Sequence, residues 1–97
     1  MEQAKKRYYT AEEYLAREEA SDYKSEFYKG EIFAMTGASI NHNRIVTNVT
    51  AALYSALRDS KCETFMSYMR IWVEAKELFT YPDISVVCDK PKFYKDR

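Results

Sequence analysis

The sequence predicts an α+β domain, and three observations carry that reading. Thr10-Ala11-Glu12-Glu13 is a capping box, the N-terminal signature of a helix. Residues 40–59 repeat apolar side chains at helical spacing. On either side of that stretch lie short runs in which β-branched and aromatic residues alternate with polar ones, as half-buried strands do.

In chain order, a basic and aromatic leader comes first, Lys5-Lys6-Arg7-Tyr8-Tyr9. It reads as a solvated terminus, with contact to nucleic-acid phosphate as the alternative. Thr10 at the N-cap and Glu13 three residues on open a short helix over about 11–19, with Tyr14, Leu15 and Ala11 as its apolar edge. Residues 25–35 read as a hairpin. Lys29-Gly30 makes the turn, because glycine adopts the positive φ that such turns need. Ile32 and Ala34 then alternate with Glu31, Phe33 and Met35. A carboxylate directly after a turn glycine is usually solvated, so Glu31 bears on function only if it points inward.

Thr36-Gly37-Ala38-Ser39 breaks the strand, and Ser39 or Asn41 caps the long helix that follows. The expected stripe of that helix is Ile45, Val49, Ala52, Leu53, Ala56 and Leu57. His42, Asn43 and Arg44 occupy its first turn, where the helix dipole favours anions. A histidine there either faces a phosphate or an acidic cluster, or is a surface residue that helps the cap. The sequon Asn48-Val49-Thr50 falls inside the helix and carries no meaning in a cytoplasmic chain.

Three strands are expected next: one at 62–66, one at 69–74, and, beyond a loop at about 76–80, one at 81–88 that closes a hairpin with the second. Met69, Ile71 and Val73 share one face of the second strand, and Arg70, Trp72 and Glu74 the other. In the third, Pro82 lacks an N–H and suits a strand's first position. Ile84 and Val86 face one side; Asp83, Ser85 and Val87 face the other. Asp83 is thus an acid held at the mouth of a strand. That suits a metal ligand, and it also suits plain capping of the loop. The tail 89–97 is charged and aperiodic.

Composition narrows the classes. With 97 residues the chain is at most one domain with a modest core. Its 46% hydrophobic and 31% charged residues describe a globular, soluble chain rather than a disordered one. Its 15 basic and 15 acidic residues cancel, which excludes bulk attraction to DNA or membranes, so nucleic-acid binding must rest on a local patch. Cys62 and Cys88 are too few and too far apart for a zinc site or a CxxC motif, and are expected to be buried thiols of a cytoplasmic protein. There is no signal-peptide pattern and no apolar run near the roughly 18 residues of a membrane span.

Six segments, in order, resemble the Uma-two family of the restriction-endonuclease-like PD-(D/E)XK superfamily. They are Tyr9-Thr10-Ala11-Glu12-Glu13-Tyr14-Leu15, Tyr28-Lys29-Gly30-Glu31-Ile32, Met35-Thr36-Gly37-Ala38-Ser39, His42-Asn43-Arg44-Ile45-Val46, Ser67-Tyr68-Met69-Arg70-Ile71 and Tyr81-Pro82-Asp83-Ile84. The resemblance implies a mixed sheet flanked by helices and metal-dependent hydrolysis of DNA phosphodiesters. It implies catalytic roles for Asp83, Glu31 and His42, with Asp83 and Glu31 as ligands of Mg²⁺ or Mn²⁺. A hard cation of this kind prefers carboxylate and water oxygens, acidifies water and offsets phosphate charge. It needs at least two carboxylates nearby.

Family members carry, after the strand of Asp83, a further strand with the second acidic half of the motif. Here only Asp89 and Asp96 follow, with Lys90, Lys92 and Lys95 and no E-x-K strand. Residues 1–97 therefore read as the N-terminal portion of such a domain, truncated after the strand carrying Pro82-Asp83. Two functions are expected from this. One is a DNA endonuclease whose site is incomplete and inactive in the isolated chain. The other is a non-catalytic remnant or interaction module that self-associates, as a homodimer or through an open sheet edge.

Overall fold

The structure is a computed structural model and describes residues 7–96, so Lys5 and Lys6 of the leader lie outside the described residues. The elements are α1 (Ala11–Ala20), β1 (Ser25–Tyr28), β2 (Glu31–Ala34), α2 (Ile40–Leu57), β3 (Cys62–Met66), β4 (Ile71–Val73), β5 (Leu78–Thr80) and β6 (Ile84–Cys88). Short 3₁₀ turns follow β4 at Glu74–Lys76 and β6 at Tyr94–Asp96. The expected α+β class holds. The chain forms two compact units, one of residues up to 36 together with 72–80, the other of 37–71 together with 81–97.

In the first unit the capping box is present. The Thr10 hydroxyl accepts from the Glu13 N–H at 3.1 Å, and the Glu13 carboxylate accepts from the Thr10 N–H at 2.9 Å. The Thr10 backbone bond is the main cause that holds the Glu13 carboxyl below the ordinary carboxylate range. Arg7 pairs with Glu13 at 3.2 Å and lies over the Tyr9 ring, so this leader residue braces α1. One face of α1 buries Tyr14 and Leu15. Tyr14 stacks on Phe79 of β5 and meets Phe27 of β1 at a tilt, with ring centroids at 5.2 and 5.3 Å, and its hydroxyl donates to the Ser25 carbonyl at 2.5 Å. These four residues, all nearly inaccessible to solvent, are the core of the unit.

The strand order is β2-β1-β5-β4. The β1–β2 hairpin pairs Ser25 with Ala34 and Tyr28 with Glu31, which leaves Lys29 and Gly30 as a two-residue turn. Both have positive φ, 47° and 87°, as a turn matched to strand twist requires. A Cβ on Gly30 would also come within 3.1 Å of the Tyr8 ring. Gly30→Ala is therefore expected to cost about 1–2 kcal/mol, read as a lower urea midpoint at unchanged slope. An unchanged midpoint would show that the turn absorbs the side chain.

Two expectations about the strands are corrected. Residues 78–80, expected as loop, form β5, which pairs antiparallel with β1 through Phe27–Phe79 and Tyr28–Leu78. Three residues are too few to show alternation, and it is the burial of Phe79 against Tyr14 that fixes them. The strand expected at 69–74 is only Ile71–Val73, ended by the 3₁₀ turn and by Glu77 at a left-handed φ of 48°. It neighbours β5 and makes no hairpin with β6.

In the second unit β6 pairs instead with β3, antiparallel, from Cys62–Cys88 to Met66–Ile84. That register places the two cysteines opposite each other, and they form a disulfide, which corrects the expectation of free thiols. Spacing along the chain carried no information about register, so the pairing was invisible in sequence. Ser39 caps α2 as expected, its hydroxyl accepting from the His42 N–H at 3.1 Å. The helix packs beside β3, and the side chains it half-buries are His42, Val46, Thr50, Leu53 and Leu57. The expected stripe is thus split. Leu53 and Leu57 are on the packed side, while Ile45, Val49, Ala52 and Ala56 are exposed on the adjoining side. The apolar arc is wider than one strand pair covers, and periodicity alone does not say which flank is used.

Candidate functional site

The first turn of α2 and the segment leading into β6 meet in the second unit. The cap on Ser39 sets the backbone of that turn, and His42 reaches Asp83 with Nε2 3.0 Å from Oδ2. Asp83 lies one residue before β6 rather than inside it. Both side chains are partly open to solvent, 43% for His42 and 59% for Asp83. Such a pair contributes little to stability, and its content is geometric. Next to it, Arg44 donates to the Asn41 side chain at 3.3 Å across the same helical turn. Tyr81 is buried, and its hydroxyl accepts from Arg70 at 3.4 Å. A guanidinium therefore lies against the Tyr81-Pro82-Asp83 segment, where it can meet phosphate charge.

The structure thus brings together two of the three site residues expected from sequence. The third, Glu31, belongs to the first unit, at the start of β2. Glu31 is half-buried, with its Oε1 sealed from solvent. Strand register puts Glu26 on the same sheet face, opposite Phe33, and its carboxylate accepts from the Thr80 hydroxyl. Sequence reasoning singled out neither Glu26 nor Arg70 as a site residue. Glu26 becomes a neighbour of Glu31 only once the hairpin register is known, and Arg70 looked like one more polar residue of an alternating strand.

A family model described as "Putative restriction endonuclease" matches residues 11–97. The chain belongs to this family, Uma2. Two relatives come from Synechocystis sp. (strain ATCC 27184 / PCC 6803 / Kazusa). "Uncharacterized protein sll1609" is 46% identical over 84 residues, which are 87% of this chain and 48% of that protein. "Uncharacterized protein slr1290" is 37% identical over 78 residues, 80% of this chain and 41% of that protein. The chain therefore spans less than half the length of these relatives. No solved structure gives a significant match.

The Uma2 description suggests a nuclease, and restriction-endonuclease-like families typically use a divalent metal. The residues around Asp83 can be tested against that need. They offer one carboxylate, already engaged by an imidazole on one oxygen. Among the described residues, no group of three or more His, Cys, Asp or Glu side chains gathers where it could hold an ion. A hard cation takes several oxygen ligands. The described residues of this unit do not make a complete site for Mg²⁺ or Mn²⁺. No helix among them is long and apolar enough to cross a membrane.

Proposed function

We propose that this Uma2 chain is the first portion of a metal-dependent DNA endonuclease domain, in which Asp83 supplies one carboxylate of an acidic site and His42 positions it. The observation that carries this reading is the 3.0 Å contact between His42 and Asp83, made at a helix N-terminus in a chain of this family. Free backbone N–H groups and the helix dipole favour a phosphate there. In this reading His42 holds the carboxylate in one orientation, and Arg70 offers charge to the phosphate backbone. Further carboxylates come from the remaining half of the family domain, so the isolated chain is inactive or nearly so. The cytoplasm is the compartment that fits a DNA substrate.

A second reading is favoured by the pairing of β3 with β6 alone, which leaves each strand with one edge unpaired among the described strands. An open edge beside Asp83 is a template for another strand, and a non-catalytic module would associate through it.

Calorimetric titration with Mn²⁺ and Mg²⁺, alongside plasmid nicking, tests the first reading. The expected result is weak metal binding that Asp83→Ala removes and His42→Ala weakens about tenfold. Glu31→Ala, measured in parallel, tests the acid of the first unit by itself. Metal binding or nicking that survives Asp83→Ala would sink the proposal. Absence of both from the wild-type chain would favour the non-catalytic module.

A further inference from the structure

The Cys62–Cys88 bridge closes the β3–β6 ladder at the end away from Asp83. Cys62 is half-buried and Cys88 is exposed, so a thiol in solution can reach the Cys88 sulfur. Exposed disulfides exchange readily, whereas those sealed in a core stay closed. In the cytoplasm, the compartment proposed above, a disulfide is ordinarily transient and redox-sensing rather than structural.

What the bridge holds has little other support. Among the described residues the second unit has one buried side chain, Tyr81. Among the described strands β6 pairs with β3 alone, and such a two-stranded ladder is marginal. Its five residue pairs run from Cys62–Cys88 to Met66–Ile84, and Asp83 follows directly beyond the last. Tyr81 anchors the segment before Asp83, and β6 holds Asp83 from the other side. α2, which carries His42, packs beside the same β3. The 3.0 Å contact of His42 with Asp83 is thus made between a helix that leans on β3 and a carboxylate held through β3 and β6.

We propose that Cys62–Cys88 is a reversible thiol–disulfide switch, whose closed form holds Asp83 against His42 and whose open form releases it. To open it, the thiolate of a reducing dithiol attacks the Cys88 Sγ. The S–S bond breaks, and Cys62 leaves as a thiolate that takes up a proton. The second thiol of the reductant then displaces Cys88, which also leaves with a proton. Two electrons have passed: the bridge is now two thiols, and the dithiol is a disulfide. A disulfide oxidant such as glutathione disulfide runs the exchange backwards. In the open form the ladder rests on its own hydrogen bonds and on α2, and Asp83 loses its fixed distance from His42. The consequence for catalysis rests on the proposed function, but the switch itself is read at the contact.

His42 is the chain's single histidine, so its ring resonances in a nuclear magnetic resonance spectrum report the contact directly. In oxidised protein the ring resonances of wild type and Asp83→Asn should differ. After dithiothreitol they should coincide, and glutathione disulfide should restore the difference. Amide exchange in β6 should rise about a hundredfold on reduction, the equivalent of the loop-closure constraint for this span. The Cys62→Ser, Cys88→Ser double variant should match the reduced wild type under either condition, with circular dichroism confirming that α2 remains helical. A difference that survives full reduction would overturn the switch and leave the proposed site intact. Rings that already coincide in oxidised protein would overturn the His42–Asp83 contact, and the proposed function with it. Global unfolding on reduction, or failure to reoxidise, would make the bridge a structural staple and also overturn the proposal.

Discussion

Phe79→Ala is expected to lower the stability of the first unit by about 3–5 kcal/mol, the cost of deleting a fully buried aromatic ring. Phe79 is 2% exposed and sits at the centre of the aromatic cluster, with ring centroids 4.4 Å from Trp72, 5.2 Å from Tyr14 and 6.0 Å from Phe27. It also lies on β5, between β1 and β4 in the sheet. The core it belongs to is small, so neighbouring side chains have little with which to refill the space. A loss of this size is comparable to the whole stability of many small domains. The near-ultraviolet signal of the clustered rings should collapse, and the urea midpoint should fall sharply or vanish. Phe93→Ala is the matched control, because Phe93 is 64% exposed and its removal should change stability by no more than about 0.5 kcal/mol. Equal effects of the two substitutions would refute the assignment of the core.

The second large effect is expected from the Cys62–Cys88 disulfide. It joins residues 26 positions apart, and a cross-link of that span constrains the unfolded chain by about 3 kcal/mol on loop-closure grounds. The bond sits at one end of the β3–β6 ladder, beside the Asp89 N–H to Lys61 carbonyl hydrogen bond at 2.8 Å. It therefore clamps a two-stranded sheet, which is marginal without support. Thiol titration of the native protein should find none, and two after reduction. Dithiothreitol should lower the melting temperature of the wild type and leave the Cys62→Ser, Cys88→Ser double variant unmoved. Two free thiols in air-oxidised protein, or a melting temperature insensitive to reductant, would remove the clamp from the account. In a cytoplasmic setting, where thiols are kept reduced, the β3–β6 pair would have to hold without it.

What was legible in sequence was mostly local. The Thr10–Glu13 box, the Lys29-Gly30 turn and the Ser39 cap each depend on residues within a few positions, and each is where the sequence places it. The site was legible to the same degree. His42 was visible as a first-turn histidine and Asp83 as an acid expected just inside the start of a strand, one residue off its place before β6. The 3.0 Å contact between them required the fold, because the 40 intervening residues decide it. Partnership between strands was not legible. β6 was expected beside the preceding strand and lies beside β3, and β5 was not recognised at all. Short strands carry too few alternations to specify a neighbour, and neighbours are set by what each strand buries. The exposed half of α2 was hidden for a related reason. Its apolar residues are readable, but which of them meet β3 depends on a rotation of the helix about its axis.

The pairing of β1 with β5 also fixes an order of events. The Glu26 carboxylate and the Thr80 hydroxyl that meet across it are 54 positions apart. The first unit is thus discontinuous, with the whole of α2 and β3 made between its halves. During synthesis α1 and the β1–β2 hairpin emerge early, yet Tyr14 and Phe27 have no Phe79 to close over them until residue 79 has left the ribosome. A two-stranded hairpin with an open edge waits through that interval. Distant pairing of this kind slows folding relative to local contacts. The capping box and the turn, which need no distant partner, are the features able to keep the early segment near its final form while it waits.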